Sequence, residues 1–133
     1  MKAPRWLTLD IVLALHDESL AEFGGGSGLR DRGLLESALA RPQHMHAYEP
    51  GSTRADLASA YASGIVRNHP FLDGNKRTGL LALAVFLDRN GIDFEPPEAE
   101  EVATILSLAA GHLDDDALAA WVARHAKKRR TRR

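Results

Sequence analysis

The amino-acid sequence predicts an all-α fold: a compact single-domain bundle of about six to seven helices around a buried central helix. Apolar residues recur at helical spacing in almost every segment, and helix-starting and helix-stopping residues bracket those segments. Only Ile92 to Phe94 reads as an extended piece. With 133 residues and 44% hydrophobic content, the chain suits one globular domain with a real core.

Thr8 caps a first helix whose Leu9, Val12, Leu13, Leu20 and Phe23 fall on one stripe, and Gly24-Gly25-Gly26 ends it. Asp31 caps a second through Leu34, Leu35, Ala38 and Leu39. This helix is expected to stop near Pro42, because the residue before a proline avoids the α region, and residues 43–51 then read as a loop. Thr53 with Asp56 makes a capping-box start for a third helix carrying Leu57, Ala60, Tyr61, Gly64 and Ile65, closed by Pro70 at about His69. The segment Asn75 to Asn90, apolar on nearly every side, is expected to be the central buried helix, with Asn90-Gly91 as its stop. Pro97 opens a helix through Val102, Ile105, Leu106 and Ala109, and Asp114 or Asp115 caps the last, with Leu118, Trp121 and Val122. Residues 1–126 are thus read as the folded domain and residues 127–133 as a basic, frayed tail.

Charge divides the same way. The formal net charge of −1 hides six cations in the last seven residues, which leaves 11 cations against 18 acids, a net −7, before them. Such an acidic body disfavours direct nucleic-acid binding, although the tail alone can touch RNA, DNA or an acidic protein. With no cysteine there is no disulfide framework and no thiol nucleophile. The longest apolar run, Gly79 to Leu87, is too short to span a bilayer, and Asp10 interrupts the stretch from Trp6 to Leu15 that a signal peptide would need. The expectation is a cytoplasmic protein with no membrane partner.

Several candidates for chemistry are weak. Gly24 to Gly28 lacks the Lys-Ser/Thr of a phosphate-binding loop and reads as a helix-ending turn. His44 and His46 have no ligand-spaced partner for a metal, and His16, on the apolar stripe of the first helix, reads as a hydrogen-bonded core or boundary histidine. The segment from Asn68 to Gly79 differs in kind. Gly74 permits a tight turn whose N–H groups, with those of the following helix start, converge on an anion. Lys76 and Arg77 oppose the helix dipole there and make sense as anion ligands. Asp73 supplies a hard oxygen for a phosphate-bound Mg²⁺, and His69 is placed to take a proton from an attacking hydroxyl. Arg67 lends a further charge or is simply a surface helix cation.

The run His69-x-Phe71-x-Asp73-Gly74-Asn75-Lys76-Arg77 resembles the signature of the death-on-curing (Doc) toxins, a branch of the Fic fold, at seven specified positions within nine. Leu15-His16-Asp17, Phe23-Gly24-Gly25, the run from Gly28 to Pro42, and Phe86-Leu87 to Asn90-Gly91 share the resemblance, which covers roughly residues 7 to 95. It implies a Fic/Doc-type helical fold, the toxin half of a type II toxin-antitoxin system, and transfer of the ATP γ-phosphate to a threonine of elongation factor Tu, arresting translation. By similarity His69 is the base, Asp73 holds Mg²⁺, and Gly74, Asn75, Lys76 and Arg77 bind the nucleotide phosphates. The resemblance also implies a Phd-like antitoxin whose C-terminal segment lies in a helical groove.

Fic proteins that transfer AMP resemble His-Pro-Phe-x-x-Gly-Asn-Gly-Arg-x-x-Arg, whereas this chain has Lys76 at the second glycine and Leu80 at the final arginine. Both changes alter the anion pocket and fit the reversed nucleotide orientation attributed to Doc. Pro70 and Gly74 are shared with the AMP-transferring branch, so adenylylation of a protein hydroxyl is the alternative activity. A non-catalytic helical binding module is the alternative from another class, but it has no need of His69, Asp73, Asn75, Lys76 and Arg77 together.

Overall fold

Capping chemistry sets the helix starts. A computed structural model describes residues 3–130 of the chain. Within them run α1 (Leu9–Phe23), α2 (Arg32–Tyr48), α3 (Arg54–Asn68), α4 (Asn75–Arg89), β1 (Ile92–Phe94), α5 (Glu98–Ala109), α6 (Asp115–His125) and β2 (Ala126–Lys128). The side chains of Thr8, Asp31, Thr53 and Asp114 each accept a backbone N–H of the helix they precede, satisfying a donor that the helix itself leaves open. At Thr53 the bond is reciprocal: Asp56 accepts the Thr53 amide at 2.9 Å, which completes the capping box.

The centre of the bundle is α3, not α4. Every residue from Leu57 to Val66 is buried, whereas α4 leaves Leu80, Leu81 and Val85 partly exposed. Side-chain size explains the exchange of roles. Ala58, Ala60, Ala62 and Gly64 keep α3 slim, so α2, α4 and α6 can all pack against it. At Gly64 a Cβ would lie 3.1 Å from that of Ala38 on α2, and at Gly79 a Cβ would lie 2.8 Å from Val66 Cγ2 and 3.2 Å from the Ala62 carbonyl. The longer aliphatic residues of α4 make it read as more apolar, but hydropathy does not report how closely neighbours approach.

Two further expectations are corrected. Helix α2 does not stop near Pro42 but continues to Tyr48, with Pro42 inside it, so residues 43–48 are helix rather than loop. An interior proline forfeits one backbone bond and costs ~3 kcal/mol. Here the ring of Pro42 is buried, Met45 packs against the core, and His46 meets the Trp6 ring edge-on at 5.7 Å, all of which would be lost if the chain left the helix. The segment from Lys127 is not frayed where it is described. Ala126–Lys128 pairs antiparallel with Ile92–Phe94, in the register Ile92 with Lys128, and Arg129 binds Asp88 at 2.7 Å and Asp93 at 2.8 Å. Two carboxylates and a strand partner thus offset the mutual repulsion of the tail cations; Arg132 and Arg133 lie outside the described residues.

Within the core, Tyr61 is buried and its oxygen accepts the Leu7 amide at 2.9 Å, which ties the chain start to α3. Burial pushes the phenol above its usual range, opposed by that hydrogen bond and by Arg89. No described helix is long and apolar enough to cross a membrane.

Candidate functional site

The turn between α3 and α4 carries the residues singled out by the sequence. Helix α3 ends at His69, which adopts the left-handed conformation (φ 52°, ψ 54°) and is the only non-glycine residue with positive φ among those described. For a side chain bearing a Cβ this costs roughly 1–2 kcal/mol, and such strain clusters at functional sites. It is held by its surroundings. Arg30 donates from Nε to the His69 carbonyl at 2.7 Å and from its terminal nitrogen to the Asn68 carbonyl at 2.9 Å, satisfying carbonyls that the end of α3 leaves open. The Pro70 carbonyl accepts the amides of Arg30 and Asp31, and Leu72 donates to the Gly28 carbonyl, so residues 28–31 clasp the turn like a short ribbon.

Buried side chains fix the rest of the turn. Phe71 is 1% exposed, and the Asn75 side chain turns inward to make two bonds with it: Oδ1 accepts the Phe71 amide and Nδ2 donates to the Phe71 carbonyl, both at 2.9 Å. The amide group of Asn75 is therefore occupied by the turn, and what it offers a ligand is its backbone N–H. Gly74, in the left-handed region at φ 79°, precedes α4 without any side-chain cap, so the first-turn amides of Asn75, Lys76 and Arg77 have no internal acceptor. This is the anion cradle of a helix start.

Asp73 is exposed, yet its carboxylate is held at both ends. Oδ1 accepts the Gly74 amide at 2.8 Å and Oδ2 the Gly26 amide at 3.3 Å. Gly25 comes close enough that a Cβ on it would lie 2.7 Å from Asp73 Oδ2. The glycine-rich segment thus does more than end α1: its backbone supports the carboxylate, a role its composition permits but its spacing does not announce. Arg77 lies over the Phe23 ring, 3.9 Å from its centroid, which supports the guanidinium from below.

His69, Asp73, Gly74, Asn75, Lys76 and Arg77 line one cavity of about 360 Å³, walled by Val66 and Ala109. Its charged and polar groups are a neutralisable base, one carboxylate, two cations and a row of amides, a set suited to a polyphosphate and a proton transfer. Arg67 does not join them. It donates to Asp115 at 3.1 Å and to the Leu113 carbonyl at 3.2 Å, so its charge is engaged by the start of α6. No cluster of three or more His, Asp or Glu residues that could cage a metal exists among the described residues. A single carboxylate beside an anion cradle is the donor set for Mg²⁺ that arrives on phosphates and keeps several waters, and the accepted hydrogen bonds leave lone pairs on Asp73 for it.

Arg30 and the glycine-rich segment brace the turn from outside the His69–Arg77 run. Arg30, Gly24 and Gly25 lie within the runs that carry the family resemblance, which was the available signal; Gly26, whose amide reaches Asp73, falls between those runs.

The sequence profile of the Fic/DOC family matches residues 6–87. The chain is 32% identical over 116 residues to "Protein kinase doc" of Escherichia phage P1, an alignment covering 86% of this chain and 90% of that protein. It is 38% identical over 106 residues to "Toxin Doc" of Mycolicibacterium smegmatis, covering 76% of this chain and 80% of that protein.

Proposed function

The chain belongs to the Fic/DOC family, and from that premise we propose that it is a toxin that transfers the γ-phosphate of ATP to a threonine hydroxyl of a translation factor, elongation factor Tu, and so arrests translation. The observation that carries this reading is the single cavity in which His69, Asp73, Lys76, Arg77 and the open amides of α4 meet. The name of the phage relative supports phosphate rather than nucleotide transfer. So does Leu80, which packs against the core where an AMP-transferring relative would present an arginine to phosphate.

In this reading the open amides of Asn75, Lys76 and Arg77 and the two cations hold the polyphosphate, which positions the γ-phosphorus for in-line attack. A His69 ring nitrogen takes the proton of the threonine hydroxyl as its oxygen bonds to phosphorus. The bond from phosphorus to the β–γ bridging oxygen breaks, ADP leaves, and His69 later returns its proton to solvent. Asp73 would hold a Mg²⁺ that neutralises charge on the transferring group. The strained, clasped backbone at His69 gives the base a fixed origin, so positioning rather than covalent chemistry supplies the rate.

A Phd-like antitoxin acting in trans fits the same picture. Val102 and Leu106 on α5, each about half exposed at 53% and 51%, offer apolar surface to an amphipathic segment close to the Ala109 wall of the cavity. Cytoplasmic action follows from the proposed target.

The deciding experiment incubates the protein with elongation factor Tu and ATP labelled at either the γ or the α phosphate. Label from the γ position, lost in His69→Ala, is the expected result. Label from the α position alone overturns the kinase reading in favour of AMP transfer, and label that persists in His69→Ala removes His69 as the base.

A further inference from the structure

His16 is a histidine that the proposed chemistry does not use, yet it sits directly beneath the site. It lies in the middle of α1, is 2% exposed, and stacks its ring on Phe71 with centroids 3.8 Å apart and planes within 9° of parallel. Packing alone would be served by a leucine or a phenylalanine. The imidazole adds a directed bond: Nε2 lies 2.8 Å from the Asp73 carbonyl oxygen. A carbonyl only accepts, so Nε2 carries the proton and donates it. The ring also underlies the next residue, since a Cβ on Gly74 would lie 3.6 Å from Nε2.

The bond matters because of what the peptide between Asp73 and Gly74 does. In a trans peptide the C=O and N–H point opposite ways. With the carbonyl drawn down to His16, the Gly74 N–H faces away from that ring and donates to Asp73 Oδ1 at 2.8 Å. Glycine tolerates φ of either sign, so nothing intrinsic to Gly74 prevents this peptide from turning over. A turned peptide would aim its carbonyl dipole at the anion cradle and release the carboxylate.

Building on the proposed roles of Asp73 and the cradle, we propose that His16 is a positioning residue: its Nε2–H pins the Asp73–Gly74 peptide in the orientation that presents the carboxylate and the amides to metal-bound polyphosphate.

The test compares His16→Phe, which keeps the stacked ring and loses the donor, with His16→Gln, which restores a donor at similar reach. The full-length variants are assayed for Mn²⁺·ATP binding by calorimetry, for the Mg²⁺ concentration giving half-maximal phosphate transfer, and for the Gly74 amide resonance and its exchange rate by NMR. Should His16→Phe fail to fold, His16→Met fills the same space without a donor and takes its place. The expected result is an unchanged fold, Mn²⁺·ATP binding weakened roughly five- to tenfold, the scale of one net hydrogen bond, a matching rise in the Mg²⁺ requirement, and faster exchange at Gly74, with His16→Gln close to the parent protein. Parent-like metal dependence and an unshifted Gly74 amide in His16→Phe would leave His16 as packing only and overturn the proposal. If Asp73→Asn weakens Mn²⁺·ATP binding while His16→Phe does not, the positioning role falls and the site reading stands. If neither the parent protein nor Asp73→Asn binds nucleotide with metal, the site reading itself falls and takes this one with it.

Discussion

Arg67 Nη1 donates to Asp115 Oδ1 at 3.1 Å, and this bond, with a second to the Leu113 carbonyl, keeps from the anion site a cation that lies only two residues before His69 in the sequence. Asp115 also accepts from Arg41 and, at 2.7 Å, from the Ser63 hydroxyl, so one carboxylate at the start of α6 gathers groups from α2 and α3. Arg67→Ala is therefore expected to leave the KM for ATP within about twofold of the parent and to cost at most ~1 kcal/mol, as partly exposed ion pairs do. Asp115→Ala strands three donors and is expected to cost more, about 1–3 kcal/mol. Steady-state kinetics and denaturant melts check both; a large rise in KM for Arg67→Ala would return that residue to the phosphate site.

Gly25→Ala tests the carboxylate's support. Gly25 has φ +121°, and an added Cβ would collide with Asp73 Oδ2 at 2.7 Å and press on Leu20 at 3.2 Å. The expected outcome is a modest stability loss of ~1–2 kcal/mol from the backbone conformation, combined with a loss of transfer of tenfold or more as the carboxylate is displaced. Gly26→Ala, where nothing lies within 4 Å, serves as the control and should retain activity.

Gly79→Ala tests the packing of α4 on α3. Its Cβ would meet Val66 Cγ2 at 2.8 Å and the Ala62 carbonyl at 3.2 Å, and Val66 is also a wall of the cavity. Overpacking of this kind costs ~1–3 kcal/mol, so the melting temperature should fall by several degrees, with a smaller effect on transfer than Gly25→Ala. An unchanged melting temperature would mean that the two helices separate more easily than their contacts indicate.

Acid should loosen the side-chain tie between Glu100 of α5 and Trp121 of α6. The Trp121 indole N–H donates to Glu100 at 3.1 Å, and this bond, opposed by desolvation and helped by His125 and Arg124, holds the Glu100 carboxyl below its usual range. A depressed carboxylate contributes stability that is complete above its unfolded pKa, about 4.3, and is lost as the pH falls through the lower folded value. Unfolding followed by Trp fluorescence between neutral pH and pH 3 should show this acid limb, and Glu100→Gln should flatten it. An identical acid profile in the variant would assign the loss to other carboxylates.

Much of the fold is legible because it rests on local chemistry. Thr8, Asp31, Thr53 with Asp56, and Asp114 each act within three residues of themselves, so their caps are visible in a linear reading. The site residues from His69 to Arg77 share that property: one turn and one helix start bring them together almost by contiguity. Pro42 was misleading for the opposite reason, since its local penalty is outweighed by burial against residues distant in the sequence. The strand at Ala126–Lys128 was hidden likewise, because its partner lies more than thirty residues earlier and its counter-charges are Asp88 and Asp93.

By itself, then, the amino-acid sequence determined an all-α chain, its helix starts, and a base, a carboxylate and two cations at the entrance to one helix, because backbone capping and chain contiguity act over a few residues. Only the tertiary structure decided that α3 is the central helix, that Arg67 serves α6, that the Asn75 side chain serves Phe71, and that His16 and the glycine-rich segment hold Asp73 from below and from the side. Those outcomes depend on how closely helices approach and on which buried donor finds which carbonyl, and both are set by packing in three dimensions.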